Sequence, residues 1–240
     1  MGGEVSAGTT ARHSIGTLAE KPLHAALKRW CSEPGDVLEV PVDGFVVDLV
    51  RSGLLVEIQT CSFSAMKRKL TRLLAGHSVR VVYPIALETR IVKVGASGRV
   101  ISSRKSPRCG TPIDLFPELV SFPELVAHPG LTLEILLIRQ EEVRRIARRR
   151  RRGWFVEERR LLEVVERLRI DSPEDLATLL PTDLPVPFTT ADLASALRRS
   201  RSLAQQMAYC LRRSGVLECV GKRGNALTYS RAAPIEVAFR

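Results

Sequence analysis

Two acidic residues each stand alone in an apolar run. Asp48 sits within Val46-Val47-Asp48-Leu49-Val50, and Glu57 within Leu54-Leu55-Val56-Glu57-Ile58, with Gln59 just beyond. A carboxylate carried unpaired into an apolar strand costs free energy, so each needs a partner. If Ser52-Gly53 is a two-residue hairpin turn, Arg51 pairs with Leu54, and counting back sets Asp48 opposite Glu57. Directly opposed residues share a face of the sheet, and Gln59, two residues on, shares it too. Opposed carboxylates repel unless something neutralises them. A divalent cation does so: Mg²⁺ takes oxygen ligands, typically one or two carboxylates with waters and substrate phosphate. Such a site activates water for attack on a phosphodiester. The plainer alternative is a polar sheet rim, with Asp48 and Glu57 pairing Arg51 or Lys67.

The elements that must position these residues follow from periodicity. Apolar residues at Leu23, Ala26, Leu27 and Trp30 predict a helix over Leu18 to Trp30. Strands are expected at Val37 to Val42, Gly44 to Val50 and Leu54 to Thr60. Ser64 caps a helix to about Ala75, with Met66, Leu70, Leu73 and Leu74 inward. Val79 to Tyr83 reads as a strand closed by Pro84, followed by a hairpin of Leu87 to Val94 with Gly98 to Ser103. Helical turns broken by Pro117 and Pro123 fill Asp114 to Val126, and Leu131 to Arg139 is a strand. From Arg144 to Arg152, seven of nine residues are arginine, and a domain boundary is expected there. Trp154 to Ile170 and Ser172 to Leu180 read as helices, the second capped by Ser172 with Pro173 at its first position.

Helix, three strands, helix and strand, with Asp48 on the second strand and Glu57-Ile58-Gln59 on the third, resemble the PD-(D/E)XK nuclease superfamily. That is the fold of many restriction enzymes and Holliday junction resolvases, and the likeness covers roughly Leu18 to Tyr83. It implies a restriction-endonuclease-like α/β domain, a mixed sheet flanked by helices, over 18–140. It also implies Mg²⁺ or Mn²⁺ held by Glu20, Asp48 and Glu57. Glu20 falls where many members carry an additional metal-ligand glutamate. Its simpler reading is a surface residue favoured in a first helical turn by the helix dipole. Gln59 stands where the family usually has lysine, which is thought to position the attacking water; glutamine orients water but brings no charge. In some members that lysine lies on the following helix, where Lys67 or Lys69 can serve. Glu20, Asp48, Glu57, Gln59 and Lys67 form the expected catalytic set. Many members act as dimers, so a homodimer is one assembly the resemblance suggests.

The C-terminal segment has its own pattern. Thr189 or Thr190 caps a helix to Leu197, and a short turn leads to a second helix from Ser202 through Arg213. Leu203, Met207, Cys210 and Leu211 form the buried stripe of that helix. Val216 to Val220 and Ala226 to Ser230 flank a basic turn, Gly221 to Asn225. This order resembles a winged helix-turn-helix, a small α+β fold. The resemblance makes Arg201, Gln205, Gln206, Tyr209 and Arg212 base-reading candidates, and Lys222 and Arg223 phosphate contacts at the wing. Arg148, Arg149 and Arg150 join them as phosphate clamps. The expected organisation is a flexible tail over 1–17, the nuclease-like domain over 18–140, an arginine-rich linker over 141–153 and the DNA-binding domain over 154–240.

Composition agrees with a polyanionic partner. The 240 residues carry 37 Lys and Arg against 26 Asp and Glu, a net charge of +11, which favours nucleic acid. No apolar run reaches the roughly 20 residues of a membrane span, so a cytoplasmic protein without a membrane partner is expected. Cys31, Cys61, Cys109, Cys210 and Cys219 are scattered and odd in number, and the four histidines are equally dispersed. That argues against a zinc site or a disulfide framework. Aromatic content of 5% disfavours single-stranded RNA readout by stacking. The expectation is a metal-dependent DNA endonuclease. The alternative, kept open by Gln59, is a nuclease-fold DNA-binding protein without catalysis, acting as a transcriptional regulator or targeting subunit.

Overall fold

The computed structural model of the chain describes residues 21–146 and 153–232. It is a mixed α/β fold: a seven-stranded mixed sheet covered on both faces, and a smaller three-stranded sheet near the C-terminus. Helix α1 (Pro22–Cys31) precedes an antiparallel meander of β1 (Val37–Val42), β2 (Phe45–Arg51) and β3 (Leu54–Ile58). A 3-10 turn, Phe63–Met66, runs into α2 (Lys67–Leu73), which crosses to β4 (Val79–Val94), parallel to β3. β5 (Val100–Lys105) folds back on β4. Short helical turns, among them α3 (Phe116–Leu119), lead to β6 (Leu131–Ile146), which lies parallel to β4, and β7 (Trp154–Ile170) closes antiparallel on β6. The strand order is β1-β2-β3-β4-β6-β7.

Local chemistry explains the parts the sequence makes plain. Arg51 pairs with Leu54 across a turn in which Ser52 and Gly53 both have positive φ, the geometry that matches strand twist in a two-residue hairpin. Met66, Leu70, Leu73 and Leu74 are all buried, as their spacing requires.

Ser62, not Ser64, caps the turn before α2, and β6 runs past Arg139 to Ile146; two further elements differ more. β4 does not stop at Pro84. Val82 accepts from the Gln59 N–H and Ala86 from the Gly110 N–H, so the backbone groups of 82, 84 and 86 point to the same side of β4. Beyond Val82 that side has lost β3, so the N–H that Pro84 lacks removes no ladder bond. The second is Trp154–Ile170, which is a strand instead of a helix. Its arginines and glutamates pair across to β6: Arg159 with Glu142, Arg160 with Glu141, Arg145 with Glu157, and Arg167 with Glu134. Pairing with a long neighbour overrides a weak local helical preference. A charged sequence also suits a sheet edge, where it discourages further strand addition. The large sheet therefore continues through the expected boundary at 141–153 to Ile170. Residues 1–17, with Glu20 and Arg148, Arg149 and Arg150, lie outside the described residues.

Past β7, α4 (Pro173–Ala177) carries a capping box between Ser172 and Asp175. β8 (Phe188–Thr189), α5 (Thr190–Leu197), α6 (Arg201–Arg213), β9 (Leu217–Arg223) and β10 (Ala226–Arg231) follow, with the small sheet ordered β8-β10-β9. Thr189 caps α5 and Ser200 caps α6. One hydrophobic cluster contains Leu70 of α2, Ile135 of β6, Phe116 of α3 and Leu203, Met207 and Leu211 of α6. The C-terminal segment thus shares its core with one face of the large sheet. A second cluster, with Leu23 and Leu27 of α1 against Val56, Val82 and Ile138, fills the other face.

Candidate active site

The β2–β3 ladder ends at Leu49 and Val56, one pair short of Asp48 and Glu57. Asp48 takes the next place with its side chain: Oδ2 accepts the Ile58 N–H at 2.8 Å. The strand changes faces here, since Val47 packs into the α2-side core and Leu49 into the α1-side core. That switch lets Asp48 reach β3 while its carboxylate also meets His24 of α1, whose Nε2 lies 3.4 Å from Oδ2. Burial pushes the Asp48 carboxyl up. Hydrogen bonds from His24 and from the Ile58 N–H outweigh that and hold it below the usual aspartate range.

Glu57 is buried, and the expected cross-strand pairing of Asp48 with Glu57 is not formed in the ladder. Lys69 of α2 brings Nζ to 2.5 Å from Glu57 Oε1 and donates a 2.6 Å hydrogen bond to the Val46 carbonyl, so the ammonium is fixed between β2 and β3. Oε1 is thereby engaged by the ammonium, and the carboxylate also accepts the Asp48 N–H. Burial lifts the Glu57 carboxyl to about 7, against the opposing pull of Lys69. Two carboxylates on adjacent strands are therefore pushed in opposite directions, which is how environments sort an acid from an anion.

The remaining expected residues divide clearly. Gln59 is tied into its own loop: Nε2 donates to the Ser62 carbonyl at 3.3 Å and Oε1 accepts the Cys61 N–H at 3.2 Å. Lys67 does not meet Glu57. It is exposed on α2 and acts electrostatically on Glu124, so the lysine at the carboxylates is Lys69, two residues further along the helix. His24 was missing from the expected set; it lies in the first turn of α1. Among the described residues no group of three or more His, Cys, Asp or Glu side chains is arranged to hold a metal ion. Asp48 and Glu57 are a pair. A two-carboxylate, all-oxygen donor set suits a hard cation that keeps most of its waters, although Lys69 already occupies Glu57 Oε1.

In the C-terminal segment, α6 turns Leu203, Met207, Cys210 and Leu211 inward. Arg201, Gln205, Tyr209 and Arg212 are exposed and Gln206 is half-buried. Lys222 and Arg223 end β9 at the hairpin tip. Arg223 is held down by Asp192 at 3.1 Å and by the Pro187 carbonyl at 3.0 Å, whereas Lys222 is exposed.

The fold and this carboxylate–lysine cluster define a mixed α/β protein with a charged site at the end of its antiparallel meander. The chain belongs to the family described as domain of unknown function DUF8091, which matches residues 21–171, from the start of α1 to the end of β7. It is also similar to a protein of Treponema pallidum (strain Nichols) described as "Uncharacterized protein", 32% identical over 225 residues, covering 92% of this chain and 89% of that one. No solved structure matches it. No helix among the described residues is long and apolar enough to cross a membrane.

Proposed function

We propose that this protein is a metal-dependent DNA endonuclease of the PD-(D/E)XK kind, carried to DNA by a C-terminal winged helix. The observation that carries the reading is Glu57: a buried carboxylate with a raised proton affinity, accepting the Asp48 N–H and faced by a fixed lysine. The helix–meander–helix–strand order, with β4 parallel to β3, supports it. The β8-β10-β9 order around α5 and α6 supports the winged-helix part of the reading. Asp48 and Glu57 would hold Mg²⁺ or Mn²⁺. A cation bound there supplies Lewis-acid polarisation of the phosphoryl oxygen and a water of lowered pKa. Lys69 brings the positive charge that Gln59 cannot, next to Glu57 where charge builds on the phosphate. Asp48 is kept ionised by the Ile58 N–H and His24, and Glu57 would have to be deprotonated to hold a cation with it. The exposed Arg and Gln side chains of α6 present the groups suited to base edges.

The test is cleavage of supercoiled and branched DNA with Mg²⁺ or Mn²⁺, and with chelator, by wild type, Asp48→Asn and Glu57→Gln, with a gel shift alongside. Metal-dependent cutting lost in both variants, with DNA binding kept, is the expected result. Binding without cutting in the wild type overturns the catalytic reading and leaves a non-catalytic DNA-binding protein. Absence of binding overturns both.

A further inference from the structure

The large sheet forks beside the candidate site. β3 pairs with β4 up to Ile58 and Val82, and β5 pairs with it from Lys105 and Arg90 onward. Between them, residues 83–89 of β4 have no strand on that side. Loop 106–110 crosses part of the gap through two hydrogen bonds, Ser106 N–H to Thr89 O at 2.7 Å and Gly110 N–H to Ala86 O at 2.9 Å. Over the fork lies an open cleft of about 1160 Å³. It begins at Tyr83, next to the loop that follows Gln59, and reaches to Arg199 in the turn between α5 and α6. None of the candidate site residues lines it; it starts one residue beyond Val82, which accepts the Gln59 N–H, and ends at the C-terminal segment.

The charges of the cleft are sorted. Its three carboxylates are all engaged: Glu142 with Arg144 and Arg159, Asp114 with the Thr111 N–H and Arg199, and Glu118 with the Phe63 N–H. Arg108 has no ion pair among the described residues and stands exposed on the loop. The floor is partly apolar, with Pro84 and Ile85 beneath the charged rim. Arg144, Arg159 and Arg199 are the partners of those carboxylates, so the unpaired guanidinium at the rim is Arg108, placed to hold a backbone phosphate. Size decides which nucleic acid enters. One base pair of duplex, taken as a disc roughly 20 Å across and about 3.4 Å thick, fills on the order of 1,000 Å³, so the cleft cannot enclose a duplex. It has room for a few nucleotides of a single strand.

We infer that this cleft takes a single strand of nucleic acid that leaves a duplex next to the Asp48–Glu57 site, with Arg108 gripping its backbone. The substrate class is then a duplex with a single-stranded tail or branch. The inference rests on the nucleic-acid reading of the site and adds the strand form to it.

The experiment measures binding by fluorescence anisotropy in chelator, so that cleavage plays no part. The probes are a blunt duplex and the same duplex with a short single-stranded 3′ or 5′ tail. The wild type is expected to bind one tailed duplex about tenfold tighter than the blunt one. Arg108→Ala should remove most of that difference and leave blunt-duplex affinity unchanged. Its salt dependence on the tailed probe should fall by about 0.7 in log–log slope, the loss of one single-strand phosphate contact. Arg108→Lys should retain the slope, and thermal melting of both variants should match wild type. Equal affinity for tailed and blunt probes, or equal loss on both in Arg108→Ala, overturns the cleft while leaving the endonuclease reading to its own test. Failure to bind any probe overturns the two together.

Discussion

Asp48 and Glu57 are held by everything around them, whereas the outer face of α6 is held by almost nothing. The carboxylates sit among strand backbone, a helix lysine and a helix histidine, and their proton affinities move in opposite directions. Arg201, Gln205 and Arg212 lie in solvent on a helix whose other face is sealed into the core. Buried charge has to be placed by the whole fold, because each unmet hydrogen bond there costs free energy. Surface charge needs a helix to carry it and little more. Changes in the first region should therefore alter chemistry and stability together, and changes on the α6 surface should alter affinity alone.

The largest effect should come from the buried side of that contrast. Met207→Ala empties a fully buried position in the core shared by α6, α3 and the sheet. It is expected to lower stability by about 2–5 kcal/mol, read by chemical denaturation. If stability barely moves, the sealed face of α6 is not integrated with the sheet. Next comes Lys69→Ala, expected to slow cleavage about a hundredfold with DNA affinity unchanged. It should also shift the rate profile to higher pH, because Glu57 loses the cation that opposes its burial. Lys67→Ala should leave both rate and profile alone, and an equal effect of the two lysines would erase the assignment.

A smaller effect belongs to the exposed side. Arg212→Ala should weaken DNA binding by about 1–3 kcal/mol with melting unchanged. Loss of stability there would show that the surface is not as free as it looks. The smallest is a pH effect on stability. Glu57 has a raised pKa in the folded chain, so the unfolded chain releases this proton first. Its contribution is fully present below the ordinary glutamate value of 4.5 and is lost as pH rises toward about 7. Glu57→Gln lacks this titration, so its melting temperature should gain on wild type across that window, and a constant difference would contradict the burial argument.

The same contrast explains what could be read from the sequence. The Ser52-Gly53 turn, the meander and the isolated acids of β2 and β3 are local signals, and they lead to Asp48 and Glu57. The α6 stripe at Leu203, Met207, Cys210 and Leu211 is equally local. Lys69, His24 and the captive state of Gln59 depend on which helix face meets which strand, and that is fixed by packing across the sheet. β7 misled for the same reason. Leu161, Val164, Val165 and Leu168 are spaced for a helix, but a sixteen-residue β6 offered a partner for the whole length. Pro84 marked a strand end by rule, yet only the departure of β3 decides which side of β4 its missing N–H faces.

Gly110 closes part of the open edge of β4, and it does so by having no side chain. A Cβ there would lie 2.7 Å from the Ala86 carbonyl oxygen and 2.7 Å from Ile85 Cγ2, closer than atoms can pack. Any other residue would lift the loop and bare a stretch of strand edge within reach of solvent. Bare edges recruit strands from other molecules, and that is how folded chains begin to aggregate. The glycine that lets the loop lie down on β4, and the proline that withholds an N–H two residues before Ala86, together keep the fork open without leaving it adhesive.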